Sequence, residues 1–169
     1  MRSASATSKS QPYLSLESVS FGASGKSLSL SVAAGDRYAL FGRTGSGLEE
    51  LVAVAVKKAS PQLGKAIHHG KTSLVSTVTM VPRSTPASLA KADGTTRAAG
   101  VLGLLGLWED RNTLCSKMGW RQIAACRLIG PLLASEGLWV IDGELDAVDL
   151  RVAEDFCAEI AEPRESGKG

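Results

Sequence analysis

The stretch that decides the fold is "RYALFGRTGSGLEELVAVAV", Arg37 to Val56. Its first six residues (37–42) are short and mostly apolar, which predicts a buried strand of the parallel type. Glycines at 42, 45 and 47 follow, and then Leu48, Leu51, Val52, Ala55 and Val56 recur on one helical face. Strand, glycine loop and helix, in that order, aim backbone N–H groups at an anion. A phosphate loop reads G-x-x-x-x-G-K-S/T: the backbone wraps the phosphates, Lys neutralises them and the hydroxyl holds magnesium. Gly42 and Gly47 have that spacing, but Leu48 stands in the lysine position and Glu49 in the hydroxyl position. Taken alone, the loop fits a plain glycine turn as well as a phosphate cradle.

Working outward, "YLSLESVSF" (13–21) and "KSLSLSV" (26–32) alternate apolar and polar residues and predict two antiparallel strands joined by a glycine turn. Beyond the loop helix, "STVTMV" (76–81) reads as a strand ending at Pro82. Ser84 to Gly100 is alanine- and threonine-rich with weak periodicity and receives no assignment, whereas "VLGLLGLW" (101–108) has helical content. A helix is expected from Met118 to Ile129, closed by Gly130–Pro131. "GLWVID" (137–142) reads as a second buried strand, and Val152, Ala153, Phe156, Cys157, Ile160 and Ala161 repeat at helical spacing before Pro163. Strands alternating with helices after an antiparallel opening imply an α/β fold around a mostly parallel sheet.

A chain of 169 residues with 44% apolar and 21% charged residues is ordinary for one globular domain. Nineteen basic residues against 17 acidic ones leave a net charge of +2, no electrostatic case for nucleic acid. Cys115, Cys126 and Cys157 are far apart and odd in number, so free thiols are expected, with no disulfide framework or zinc site. His68 and His69 fall in a polar connection with no metal-ligand spacing around them. No apolar run reaches the roughly 18 residues that a membrane-spanning helix requires. Residues 1–12, "MRSASATSKSQP", are Ser-rich, basic and acid-free. They read as a disordered arm, with an organellar presequence as the alternative, ahead of a domain at 13–169.

The order of these parts resembles the ATPase domains of ABC transporters. In that family paired strands precede G-E/D and an apolar strand into the phosphate loop; here these are "AAGD" and "RYALFG". A later strand ends in Val-Pro-Gln, matched by Val81-Pro82-Arg83. The signature L-S-G-G-Q opens a helix of the form R-V-A-I-A-R-A-L; this chain has "CSKMGWRQIAACRLIG", with Ser116, Ala124 and Arg127 in register. A strand ending Asp-Glu and then P-T-S-A-L-D is matched by "LWVIDGELDAVD", with Asp142 and Asp149 in register. The similarity spans Leu14 to Lys168. It implies a P-loop NTPase-like fold with antiparallel N-terminal strands and a reduced helical subdomain between Arg83 and Ser116.

The resemblance also assigns a site and its damage. Gly42, Arg43, Thr44, Gly45, Ser46 and Gly47 would form the loop for ATP, Asp142 would lie beside its magnesium, and Ser116 and Gly119 are the signature remnant. Leu48 supplies no charge, Glu49 brings a carboxylate that repels phosphate or ligates a metal, and Arg43 either returns a charge or is solvated. Arg83 replaces the glutamine near the attacking water, and Gly143 replaces the catalytic glutamate, so no general base remains there. Glu144, one residue later, points elsewhere on a normal strand end. Lys117 and Met118 replace the signature glycines, so the backbone approaches a phosphate less closely. Asp142 has a second reading, as a cap of the following turn. The residue stacking on adenine would lie near Phe21, at Gly22 or Ala23. "PRESGKG" (163–169) resembles the end of a helix before the last catalytic strand, so that strand and the switch histidine are not expected in this stretch.

Three functions follow from these expectations. The first is a catalytically inactive pseudo-ATPase that binds protein partners, an ABC-type ATPase or a membrane subunit, and is peripheral to a membrane through them. The second is a domain that holds ATP and magnesium weakly, as the hydrolysis-impaired half of an asymmetric pair. The third is a shortened domain whose sheet another polypeptide completes.

Overall fold

Leu14 and Leu16 are buried on one side of the first strand, yet the next buried residue is Val19, three positions on. A bulge explains the change of parity. The computed structural model describes residues 11–21, 27–43, 45–76, 83–91, 97–134 and 137–161. They fall into two compact units, Met1–Thr72 and Ser73–Gly169. In the first, β1 (Leu14–Ser20) is central to an antiparallel sheet, flanked by β2 (Ser27–Val32) and β3 (Lys65–His68). Leu16 pairs with Leu30 and Val19 with Leu28, so Glu17 and Ser18 oppose Ser29 alone. Ser18 takes a φ of 49° and its N–H donates to the Ser29 hydroxyl at 2.9 Å. The extra residue returns Val19 to the apolar face.

Gly64 is fitted to that bulge. Its φ is +85°, and a Cβ there would lie 2.4 Å from the Ser18 carbonyl oxygen and 2.5 Å from that of Glu17. Neither backbone atom can swing aside, so any side chain must distort the sheet.

The segment expected as a buried strand, "RYALFG", is not one. Residues 36–43 have no regular structure, and Phe41 is 94% exposed. The Tyr38 hydroxyl donates to the Ser31 carbonyl at 3.0 Å, drawing the segment back beside β2, and among the described residues no strand pairs with it. Apolar content marked it as a strand, but a strand needs a neighbour to satisfy its backbone groups. The expected loop helix is present as α1 (Leu48–Ala55), with Leu51, Val54 and Ala55 buried. It closes in a Schellman turn: Lys57 is left-handed, Lys58 N–H reaches the Ala53 carbonyl and Lys57 N–H that of Val54. His68, expected in a loop, ends β3. Burial holds its imidazole below the usual 6.5, and the charges of Lys57 and His69 act the same way.

The boundary between the units falls at the start of β4 (Thr72–Ser76), which pairs with β5 (Leu138–Asp142) through a long helical crossover, the parallel part of the fold. Residues 77–82, where the strand was expected to run on to Pro82, lie outside the described residues. Between the strands come α2 (Pro86–Lys91), α3 (Ala98–Leu104), a 3-10 turn (Cys115–Lys117), α4 (Trp120–Arg127) and α5 (Ile129–Leu133). Helix α2 arises where no assignment was made: the Thr85 hydroxyl accepts the Ser88 N–H at 3.2 Å, and Pro86 takes the first helical position. Gly130 and Pro131 were expected to end a helix, but they lie inside α5. Pro131 is the third residue of α5, in the first turn, where a missing N–H removes no helical bond. A Cβ on Gly130 would stand 3.1 Å from the Trp139 ring, so α5 and β5 pack at close range. β5 itself is half-buried, not fully buried as expected.

α6 (Glu144–Ala147) and α7 (Leu150–Ala161) complete the second unit. Phe156 of α7 joins Leu128, Ile129 and Leu132 in a core fully closed to solvent, each side chain contributing about 1.5–3 kcal/mol. Among the described residues no helix is long and apolar enough to cross a membrane. Of the ion pairs among the described residues of this unit, one reaches the core: Arg127 Nη1 donates to Glu144 Oε1 at 2.9 Å, with the Glu144 side chain 0% exposed.

Two stability predictions follow. Gly64→Ala should cost the first unit about 2–3 kcal/mol in urea unfolding; an unchanged midpoint contradicts the bulge account. Glu144→Ala strands a buried guanidinium and should cost the second unit about 3–5 kcal/mol. Adding Arg127→Met to it should recover most of that loss; a double variant no more stable than the single one contradicts the pairing.

Candidate nucleotide site

Short-range geometry shapes the glycine loop. Ser46 N–H donates to the Arg43 carbonyl at 2.9 Å, closing a turn, and Gly45 and Gly47 take φ values of +79° and +87°. Gly47 caps α1, its carbonyl accepting the Leu51 N–H at 3.0 Å. A Cβ on Gly42 would meet the Ser46 hydroxyl at 2.3 Å, so the serine side chain folds across the start of the loop. Gly42, Arg43, Gly45 and Ser46 are exposed, while Thr44 lies outside the described residues. The backbone therefore has the turned glycines of an anion loop.

Its side chains work against that use. Leu48 opens α1, and Glu49 and Glu50, both exposed, fill the first turn. Helix N-termini favour negative charge. Here the two carboxylates occupy that favourable field themselves.

The signature remnant lies in the second unit. Cys115–Lys117 form the 3-10 turn, pinned where Cys115 N–H donates to the Ser84 carbonyl at 3.0 Å. Ser116 and Lys117 are exposed. Gly119 caps α4 in an extended conformation, its N–H donating to Gln122 Oε1 at 3.1 Å. Gln122 Nε2 in turn donates to Asp110 Oδ2 at 2.6 Å. That cap occupies an N–H at the helix start. On the exposed side Arg121 stacks over Trp120, 5.2 Å from the ring centre, and pairs with Asp149 at 2.6 Å.

Asp142 ends β5 and is exposed, as the motif order predicts. The next residue, Gly143, takes a φ of 76° and caps α6. This left-handed step turns Glu144 inward to Arg127, so the carboxylate nearest the general-base position is buried in an ion pair. Glu144 Oε2 and Arg127 Nε have no hydrogen-bond partner among the described residues. Sequence reasoning expected Glu144 to point elsewhere; it missed that Arg127 receives it. Phe21, near the adenine position, is 9% exposed and offers no face for stacking, and Gly22 and Ala23 lie outside the described residues. Arg83 is exposed.

The structure thus places the loop residues in one unit and Ser116, Gly119 and Asp142 in the other. No group of three or more His, Cys, Asp or Glu side chains able to hold a metal occurs among the described residues. Leu48 and Glu49 at the loop offer no cation and no hydroxyl, so these side chains do not fit a magnesium nucleotide. Restoring one group should not repair this. Gly143→Glu forces an L-residue into a left-handed turn, costing about 1 kcal/mol, and should yield no phosphate release in a purified ATPase assay. Turnover from that single change contradicts the geometry.

No protein-family profile matches the sequence, and no curated protein matches it either. Solved structures do. An ABC transporter ATP-binding protein from Pyrococcus furiosus superposes with a TM-score of 0.68 at 18% identity, over 88% of this chain and 84% of that one. The cbiO1 protein of Clostridium perfringens, part of the ABC transporter complex cbiONQ, gives 0.66 at 12% identity, over 89% and 73%. A bacterial Atm1-family ABC exporter with ATP bound gives 0.64 at 17% identity, over 88% of this chain but 32% of the exporter. At such identities the likeness is one of architecture: the chain has the fold of an ABC transporter ATP-binding domain.

Proposed function

We propose that the chain is an ABC-type nucleotide-binding domain that does not turn over ATP and acts as a contact subunit of a larger, membrane-associated assembly. The observation that carries this reading is the first turn of α1, where Leu48 and Glu49 stand in place of a phosphate-binding cation and a magnesium-binding hydroxyl. Gly143 in the general-base position and Glu144 locked to Arg127 support it independently. Loss of one such donor or base typically lowers turnover a hundredfold or more. These losses fall on one reaction, so efficient hydrolysis is not supported. The fold is shared with a component of a transporter complex, which supports a protein partner of ATPase or membrane-subunit type.

A second reading, nucleotide held without hydrolysis beside a competent partner domain, is favoured by the left-handed Gly45 and Gly47. Ligand binding to the folded state must raise the melting temperature, so the two readings separate cleanly. The first predicts no shift with millimolar MgATP and no phosphate release. It also predicts that Leu48→Lys with Glu49→Ser creates a shift, about 1.4 kcal/mol at roughly tenfold excess over Kd. A shift in the unmodified chain favours the second reading. Phosphate release abolished by Asp142→Ala overturns both.

A further inference from the structure

Cys126 Sγ has two sulfur neighbours, both from the segment of the signature remnant. Cys115 Sγ lies 3.7 Å from Cys126 Sγ, and Cys126 Sγ lies 3.7 Å from Met118 Sδ. Both thiols are free and buried, at 0% and 2% exposure, while Met118 is half-buried. All three come from one short segment: Cys115 opens the 3-10 turn, Met118 follows its end, and Cys126 lies on α4. The arrangement is therefore fixed locally. No role in nucleotide chemistry falls to any of them.

We propose that Cys115, Cys126 and Met118 form a site for one soft monovalent cation of the copper(I) type. Two thiolates and a thioether are the donors that soft ions select over oxygen and imidazole. Metal–sulfur bonds of about 2.3 Å in a trigonal plane set neighbouring sulfurs about 4 Å apart, so the two edges that meet at Cys126, each 3.7 Å, need only a small expansion. A disulfide would instead require the two Sγ atoms to close to about 2.0 Å, and it leaves Met118 without a part. Binding releases two thiol protons to solvent and leaves one net negative charge on the cluster. The Arg127 guanidinium acts on Cys126 with the opposite sign. Without metal, burial and the neighbouring Cys115 push the Cys126 thiol well above its usual range. Filling it would tie the turn bearing Ser116 to α4.

The test uses the full chain with Cys157→Ser, which removes the exposed thiol, reduced and anaerobic. Copper(I) is supplied as its acetonitrile complex against a chromophoric copper(I) chelator. The site predicts one equivalent bound, a thiolate-to-copper charge-transfer band, and three sulfur neighbours by X-ray absorption. Adding Met118→Leu should preserve folding and weaken binding at least about tenfold, and adding Cys126→Ala should abolish the band. Equal affinity in the Met118→Leu chain, or no binding at all, overturns the proposal. So does oxygen or nitrogen coordination in the absorption spectrum, a readout that stands even where Cys126→Ala fails to fold. Failure to bind copper(I) together with a Cys115–Cys126 disulfide under peroxide would assign the pair to redox chemistry instead.

Discussion

Arg127 and Glu144 are seventeen residues apart and meet at the core of the second unit, the carboxylate closed off from water and the guanidinium nearly so. A buried pair of this kind offsets the cost of desolvating both ions only while both partners remain. That constraint ties the end of α4 to the turn after β5, and with it the position of everything between. α5 lies against Trp139 because Gly130 admits the ring, and Phe156 closes the core behind it. The same contact also disposes of a carboxylate. A glutamate near the end of the second core strand is a potential base for water; here the left-handed Gly143 delivers it to the interior as a structural ion.

The loop in the first unit obeys a different constraint. Its glycines keep the backbone turned, as a phosphate loop requires, while the helix dipole that would attract phosphate is complemented from within by Glu49 and Glu50. Backbone form and side-chain charge have separated. That is the physical content of the proposed loss of turnover: the frame persists because glycine turns and strand pairing maintain it, and neither depends on a bound nucleotide.

Much of the frame was legible in the sequence wherever periodicity carried it. The opening strands, α1, β5 and α7 follow from alternation or helical spacing, and Asp142 falls at its strand end as the motif order implied. The misses have identifiable causes. "RYALFG" has the composition of a core strand, but composition does not supply a pairing partner, and Phe41 stands in solvent. α2 announced itself only through Thr85–Pro86, a cap and a first-turn proline, against weak periodicity. Pro131 was read as a stop, although position within the first turn removes its cost. In the site, the missing lysine, hydroxyl and base were plain from spacing. The Glu144–Arg127 pair and the sulfur cluster were not, because long-range contacts leave no local signature.

The central claim is that the turned loop no longer receives phosphate. Backbone amide resonances of Gly42, Gly45, Ser46 and Gly47, followed by NMR while MgATP is titrated into the full chain, test it most directly. The account predicts that these amides stay in place at millimolar nucleotide, since Leu48 and Glu49 supply no attraction. Saturable, concerted shifts confined to the loop and the start of α1 would contradict it.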